Sequence, residues 1–181
     1  MAKELAIKNP ADEKERELFY KEVVNVMSQY NKIIKKPEKK LKNGFRSSLI
    51  AGIICIFVCA ALFAYLFLFD HDKGYTVLFA VGGGIYFLFA ITYFYAFFTR
   101  KKLLNSLLAQ PPGSKFIIDE NGVELTKNSN TVKLSWDNIA FVRKYDKAVC
   151  FVGDSSTRFV ISVYAGYFDE IKDEIKGKLY E

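Results

Sequence analysis

The residues best suited to metal or nucleophilic chemistry are few, and their spacing does not form a known site. His71 is the only histidine and lies between Asp70 and Asp72. The side chains of consecutive residues diverge, whereas a metal site needs three or four converging ligands, so we interpret this segment as a polar turn. No second histidine is present to activate a nucleophile, and no carboxylate pair stands out by its spacing. We therefore predict no catalytic, cofactor-binding or metal site, and no enzyme activity.

The three cysteines suggest neither a disulfide nor a zinc site. Cys55 and Cys59 lie one helical turn apart in an apolar run, and Cys150 lies far along the chain in a predicted strand. This spacing is typical neither of secreted disulfide frameworks nor of zinc motifs.

Basic residues are concentrated just before a long apolar run. The chain has 26 Lys and Arg against 20 Asp and Glu, a net charge of +6. The basic residues before the run are Lys32, Lys35, Lys36, Lys39, Lys40, Lys42 and Arg46. Near a bilayer, each attracts anionic lipid with about 1 kcal/mol. We predict that they bind lipid headgroups, and the alternative is that they only orient the protein. Nucleic-acid binding is not predicted, because the charge lies beside the membrane.

Two long uncharged runs follow. Residues 47–69 and 74–99 contain no charged side chain, and each run exceeds the roughly 20 residues that a helix needs to cross the hydrocarbon core. Only residues 70–73 connect the runs, so the helices must be antiparallel. We predict a two-helix transmembrane hairpin, and we expect small residues on its helices to allow self-association into a homo-oligomer.

The basic residues also predict the orientation of this hairpin. Seven precede the first span, and Arg100, Lys101 and Lys102 follow the second, whereas the connecting turn has only Lys73. Positively charged flanks stay in the cytoplasm. We therefore predict a protein of the cell membrane with both termini in the cytoplasm.

Residues 1–46 are predicted to form a cytoplasmic helical arm. Between Ala11 and Lys36 apolar residues recur every three or four positions, which is typical of an amphipathic helix, and Pro37 ends the pattern. The helix has three candidate partners: the membrane surface, the C-terminal domain and a second copy of itself. The sequence does not choose among them.

After a linker at 100–113, residues 114–181 have the pattern of a small α+β domain. Short β-rich runs are separated by turn residues such as Asn121-Gly122, which favour a hairpin because both tolerate positive φ. We predict five or six antiparallel strands, closed by a helix from Gly166 to Tyr180. Trp136 is predicted to be a structural anchor in the core, with its indole N–H bonded to the backbone.

Two motifs in this domain point to a family. Phe-Ile-Ile-Asp-x-x-Gly-Val spans 116–123, and Lys-Leu-Ser-Trp-x-x-Ile spans 133–139. With two preceding spans, this order resembles the YcxB-like family of bacterial membrane proteins, over roughly residues 48–180. The resemblance implies a pleckstrin-homology-like (PH-like) C-terminal barrel and no catalytic residues. Two features differ from the family pattern. A helical arm replaces its N-terminal strand, and residues 162–164 lack its proline followed by a basic residue.

The predicted function is binding. We expect an integral membrane protein whose cytoplasmic domain binds a peptide or a membrane-protein partner and catalyses no reaction. The alternatives are an accessory transporter subunit and an immunity-type protein that protects against a membrane-active peptide. Neither span contains an ionisable residue, which disfavours an autonomous pump or carrier.

Overall fold

Two four-stranded sheets enclose the main hydrophobic core. The computed structural model describes residues 3–8, 10–38, 41–68, 73–110, 113–127, 129–175 and 177–180. Its strands are β1 (Lys3–Lys8), β2 (Gly113–Ile118), β3 (Gly122–Lys127), β4 (Asn130–Ser135), β5 (Ile139–Lys144), β6 (Ala148–Gly153), β7 (Val160–Tyr164) and β8 (Leu179–Tyr180). The first sheet has the order β1-β2-β3-β4, and the second has the order β7-β6-β5-β8. The α+β class predicted from the sequence is confirmed.

The helices divide between two compact units. They are α1 (Glu13–Ser28), α2 (Tyr30–Lys35), α3 (Gly44–Leu68), α4 (Lys73–Leu108) and α5 (Phe168–Ile171). One unit, which we call the sheet unit, comprises Met1–Leu41 and Leu103–Glu181. The other, the hairpin unit, comprises Lys42–Lys102.

Strand β6 is buried on both faces. Val149 and Phe151 point into the core between the sheets, with Phe116 of β2 and Ile161 of β7. The alternate residue Cys150 is also fully buried, because α1 packs against β6 and β7 on the other side. The sheet unit therefore has three layers: the first sheet, the second sheet and α1.

The N-terminal residues form a strand that the sequence analysis missed. β1 pairs with β2 in antiparallel register, with Lys3 opposite Ile118 and Lys8 opposite Gly113. The prediction that a helical arm replaces an N-terminal strand was therefore wrong. The segment contains Leu5 and Ala6, which favour helix locally, and pairing with β2 overrides that preference. Of the three candidate partners of the arm helix, α1 packs on the C-terminal domain.

The C-terminal helix is shorter than predicted. The helix α5 covers only Phe168–Ile171, between two short 3₁₀ turns, and the chain then turns at Gly177, where φ is +62°. Leu179 and Tyr180 pair in parallel with β5 instead of continuing the helix. The open edge of β5 offers these residues backbone partners, which is why the predicted helix to Tyr180 was wrong in its last turns.

In the hairpin unit, α3 and α4 are long and apolar enough to cross a membrane. They run antiparallel: Gly52 faces Phe94, and the rings of Tyr65 and Phe79 are 4.9 Å apart. The predicted connecting turn, including His71, lies outside the described residues except for Lys73. α4 continues without interruption to Leu108, so most of the predicted linker at 100–113 is helical.

Candidate binding surfaces

The basic residues predicted to bind lipid headgroups divide between the two units. Lys32, Lys35 and Lys36 lie at the end of α2 and are exposed. Lys42 and Arg46 are exposed at the start of the hairpin unit. Lys39 and Lys40 lie outside the described residues. Lysines at a helix C-terminus complement its dipole, so Lys32 and Lys35 also have a local structural role.

Arg100 of α4 forms hydrogen bonds with the first turns of α3. Its guanidinium donates hydrogen bonds to the carbonyl of Gly44 and to the hydroxyl of Ser48. Ser48 is buried, with 6 % of its surface exposed. Asn43 caps α3 at the same end, because its Oδ1 accepts a hydrogen bond from the backbone N–H of Arg46 at 3.1 Å. The position of Arg100 after the second span predicts only an orienting role, because its contacts with Gly44 and Ser48 depend on how α3 and α4 pack.

Trp136 belongs to the main hydrophobic core. Only 7 % of its surface is exposed, and its Nε1–H donates to the carbonyl of Asp119 at 2.7 Å. Asp119 also organises the β2–β3 hairpin, since its carboxylate accepts from the backbone N–H groups of Asn121 and Gly122. A Cβ at Gly122 would lie 2.2 Å from the carbonyl oxygen of Leu134, so this turn requires glycine.

Two carboxylates of α1 hold the turn between β5 and β6. Glu22 accepts a hydrogen bond from the backbone N–H of Lys147 at 2.7 Å. Glu15, two turns earlier, pairs with the Lys147 ammonium at 3.0 Å. Glu22 is half-buried, and the loss of solvent raises the pKa of its carboxyl. The turn therefore fixes α1 against the second sheet through polar contacts as well as apolar ones.

Two polar side chains near α1, Cys150 and Tyr145, are removed from solvent. Burial raises the pKa of the Cys150 thiol to about 12, and its Sγ lies 3.3 Å from the hydroxyl of Ser162. A nucleophilic cysteine needs a lowered pKa, so Cys150 has the character of a core residue. Burial likewise raises the pKa of the Tyr145 hydroxyl. Among the residues described, no three His, Cys, Asp or Glu side chains converge on a metal position.

Strand β4 forms an open edge of the first sheet. The hydrogen bond from the Trp136 N–H to the Asn121 carbonyl fixes the pairing pattern of β3 and β4. In that antiparallel pattern the peptide groups of Thr131, Lys133 and Ser135 point away from β3. Within the described part of the chain, no backbone group pairs with them. The Lys133 side chain on this strand is 74 % exposed.

A groove of about 240 Å³ adjoins this edge. It is lined by Ile117, Asp119, Asn121, Gly122, Val123, Glu124, Lys133, Leu134 and Ser135. Lys133 pairs with Glu124 at 2.6 Å across the two strands. The groove thus offers apolar and charged contacts directly beside unpaired peptide groups.

A second groove is lined by residues of α1, of β7 and of the first sheet, and we call it the α1 groove. It has a volume of about 180 Å³. It is lined by Ile7, Phe19, Tyr20, Val23, Met27, Leu107, Gln110, Ser114, Leu125, Lys127, Phe159, Val160, Ser162, Val163 and Tyr164. All of these residues belong to the sheet unit. Most of the lining is apolar, and Lys127 supplies its cation.

Neither the groove beside β4 nor the α1 groove is predicted by the sequence. The edge at β4 depends on which strand ends the sheet, and hydrophobic alternation does not give strand order. In the α1 groove, Met27 falls on the apolar face predicted for the helix, and only the structure shows that it stays 39 % exposed.

Comparison with known proteins finds no matching family model, curated protein or solved structure.

Proposed function

We propose that this chain is a two-span protein of the cell membrane whose sheet unit lies in the cytoplasm and binds a partner without catalysing a reaction. The observation that carries the proposal is the open edge of β4 with its adjoining groove. An edge strand accepts an extended peptide through main-chain hydrogen bonds, and pockets beside it select side chains. The partner we propose is therefore an extended polypeptide segment.

The membrane part of the proposal is supported by α3 and α4. Their large apolar side chains point outward: Phe57 is 72 % and Phe67 is 88 % exposed. In water such a surface would be costly, at about 25 cal/mol per Å² of apolar area. The sheet unit is joined to this hairpin at residues 41–42 and 102–103. Two chain connections tether it to the membrane more closely than one would.

The topology is tested by cysteine labelling in a chain whose native cysteines are replaced. On intact cells, an impermeant maleimide should label His71→Cys and leave Asn130→Cys unlabelled until the cells are broken. Labelling of Asn130→Cys on intact cells would refute the proposed orientation.

We also propose that the chain is a YcxB-like protein with a PH-like domain. Two packed sheets followed by a terminal helical segment support this, and β1 supplies the N-terminal strand that the sequence pattern lacked. The proposal transfers no site residues, because the resemblance rests on structural motifs.

Peptide addition at β4 is tested with a proline. Proline is tolerated in an edge strand where its missing N–H would face solvent, as at Lys133. Lys133→Pro should block strand addition, whereas Lys133→Ala removes the same side chain and keeps the N–H. A photocrosslinking residue at Thr131 of the full chain in native membranes should give a protein adduct with Lys133→Ala that is lost with Lys133→Pro.

Protection of Cys150 from thiol reagents confirms that both variants are folded. An adduct that survives Lys133→Pro would refute strand addition. Adducts obtained only from positions in the hairpin unit would instead favour the accessory-subunit alternative.

Headgroup binding by the basic residues remains part of the proposal. Replacing Lys32, Lys35 and Lys36 by Gln in the full chain should reduce its selectivity for spin-labelled anionic lipid. The effect should be larger at low salt, because ions screen exposed charges. The matched control replaces the exposed lysines Lys115, Lys133 and Lys172. If both triple variants behave alike, Lys32, Lys35 and Lys36 act only in orientation.

A further inference from the structure

The α1 groove combines a mostly apolar lining with one cation, Lys127. Val23 and Phe19 of α1 are buried in it, and Val160 of β7 forms its opposite wall. Met27 and Phe159 on its rim remain 39 % and 37 % exposed. A mostly apolar cleft with a few placed polar groups is the usual form of a small-molecule site.

Lys127 is the group that distinguishes this groove from a simple packing defect. It is half-buried, and its ammonium donates to the hydroxyl of Tyr20 at 3.0 Å and lies 5.4 Å from the centre of that ring. Among the residues described, no carboxylate lies within ion-pair distance of it. A partly desolvated cation without an anion is costly, so its surroundings favour an anionic ligand.

The groove volume limits the apolar part of that ligand. A cavity of about 150 Å³ holds one benzene molecule, so about 180 Å³ holds a segment of a single hydrocarbon chain. Two acyl chains of a membrane phospholipid would not fit side by side. The exposed rim formed by Met27 and Phe159 can cover the rest of one longer chain, and methionine adapts readily to such contacts.

We propose that the α1 groove binds a single-chain fatty acid, with its chain on the apolar floor and its carboxylate at Lys127. Ser114 and Gln110 line the same groove and can donate further hydrogen bonds to the head. This site is separate from the edge at β4, so it adds a second ligand class to the proposed function.

The test uses the full chain in nanodiscs of uncharged lipid, with cis-parinaric acid as the fluorescent probe and empty nanodiscs subtracted. Dodecanoate should displace the probe at a concentration about tenfold lower than dodecanol, because only the carboxylate forms a charged hydrogen bond with Lys127. With Lys127→Gln the two competitors should differ by less than about twofold. Lys115→Gln, at an exposed lysine on the neighbouring strand β2, should behave like the unchanged chain.

A second variant locates the chain of the ligand. Met27→Trp adds volume at the rim and leaves the Lys127 cation in the chain, and it should weaken saturable probe binding by about tenfold or more. Equal displacement by dodecanoate and dodecanol in the unchanged chain would overturn the proposal. Binding that is unaffected by Met27→Trp would overturn it as well, because the probe would then lie in the bilayer. Lys133→Pro should leave probe binding intact, so failure of the β4 proposal is distinguishable.

Discussion

The hairpin unit and the sheet unit sort their side chains by opposite criteria. In the sheet unit, large apolar residues such as Phe116 and Phe151 are fully buried, and polar residues are outside. In the hairpin unit, the outside is formed by large apolar residues, while Gly52, Cys55 and Cys59 are among those that face the neighbouring helix. In the sheet unit, polarity decides which side chains are buried. In the hairpin unit, side-chain size decides which residues face the neighbouring helix.

This difference reflects the surroundings to which each unit is suited. Water drives apolar surface inward, so a sheet gains stability by burying its largest side chains. Lipid gives no such drive, and helices in it associate where small residues let their backbones approach. The variants below test each rule in the unit that it governs.

The largest expected effect is loss of the core ring in the sheet unit. Trp136→Ala should lower the free energy of unfolding by about 3–5 kcal/mol, through the cavity and the lost transfer energy. In a chain with Cys55 and Cys59 replaced, thiol labelling of Cys150 in increasing urea measures this stability. Trp136→Phe keeps most of the ring volume and should cost less. If Trp136→Ala leaves the labelling midpoint unchanged, the ring does not anchor the core.

The matching test in the hairpin unit adds volume instead of removing it. A Cβ at Gly83 would lie 3.0 Å from the Phe63 ring, whereas a Cβ at Gly84 meets no atom within 4 Å. Gly83→Leu should therefore destabilise the helix pair by about 1–3 kcal/mol, the usual cost of overpacking. Gly84→Leu is the matched control. Oxidative crosslinking between Tyr65→Cys and Phe79→Cys, with the native cysteines replaced, should fall with the first variant only. Equal yields for both variants would contradict sorting by size.

A loss of similar size is expected where the hairpin unit does use polarity. Arg100→Gln should destabilise the open end of the helix pair by about 1.5–3 kcal/mol at most, because bonds to a charged donor are lost and Ser48 stays buried. Hydrogen exchange of the first turns of α3 measures the effect. Arg46→Gln removes an exposed arginine from the same end and should leave the exchange unchanged. Faster exchange in both variants would indicate a general charge effect.

The smallest effect concerns Glu22, a polar group that the sheet unit keeps half-buried. The folded state holds the Glu22 proton more tightly than the unfolded state does, because its pKa is raised. The contribution of this proton to the free energy of unfolding is fully present below about pH 4.3, the ordinary glutamate pKa. It is lost as the pH rises through the raised pKa of Glu22 in the folded state.

Glu22→Gln keeps an acceptor for the Lys147 N–H and removes the titration. The stability difference between this variant and the unchanged chain should therefore grow from pH 4 to pH 8, with the variant more stable at the upper end. Urea unfolding followed by Cys150 labelling measures it. Glu22→Ala removes the same titration and also leaves the Lys147 N–H without its acceptor, so it should be about 1 kcal/mol less stable than Glu22→Gln at every pH. A pH-independent difference for Glu22→Gln would show that the carboxyl is not desolvated in solution.

Local patterns predicted the inner six strands of the sheet unit better than its ends. β6 is a nearly continuous apolar run, and β7 alternates apolar with polar residues after Val160. Turn residues mark the limits of other strands, as Gly122 does at the start of β3. β1 and β8 were missed because their stability comes from distant partners, β2 and β5, rather than from their own residues. The same reason hid the candidate sites. The open edge at β4 and the α1 groove both depend on which elements become neighbours.

The pairing of β1 with β2 sets an order for biosynthesis. The ribosome makes β1 and α1 first, then both apolar helices, and only afterwards the strands on which β1 and α1 pack. At about 5–20 residues per second, the N-terminal segment waits on the order of ten seconds for its partners. During that time Val23, Val24 and Val26 have no sheet to cover them. Both apolar helices are therefore complete before the sheet unit can close.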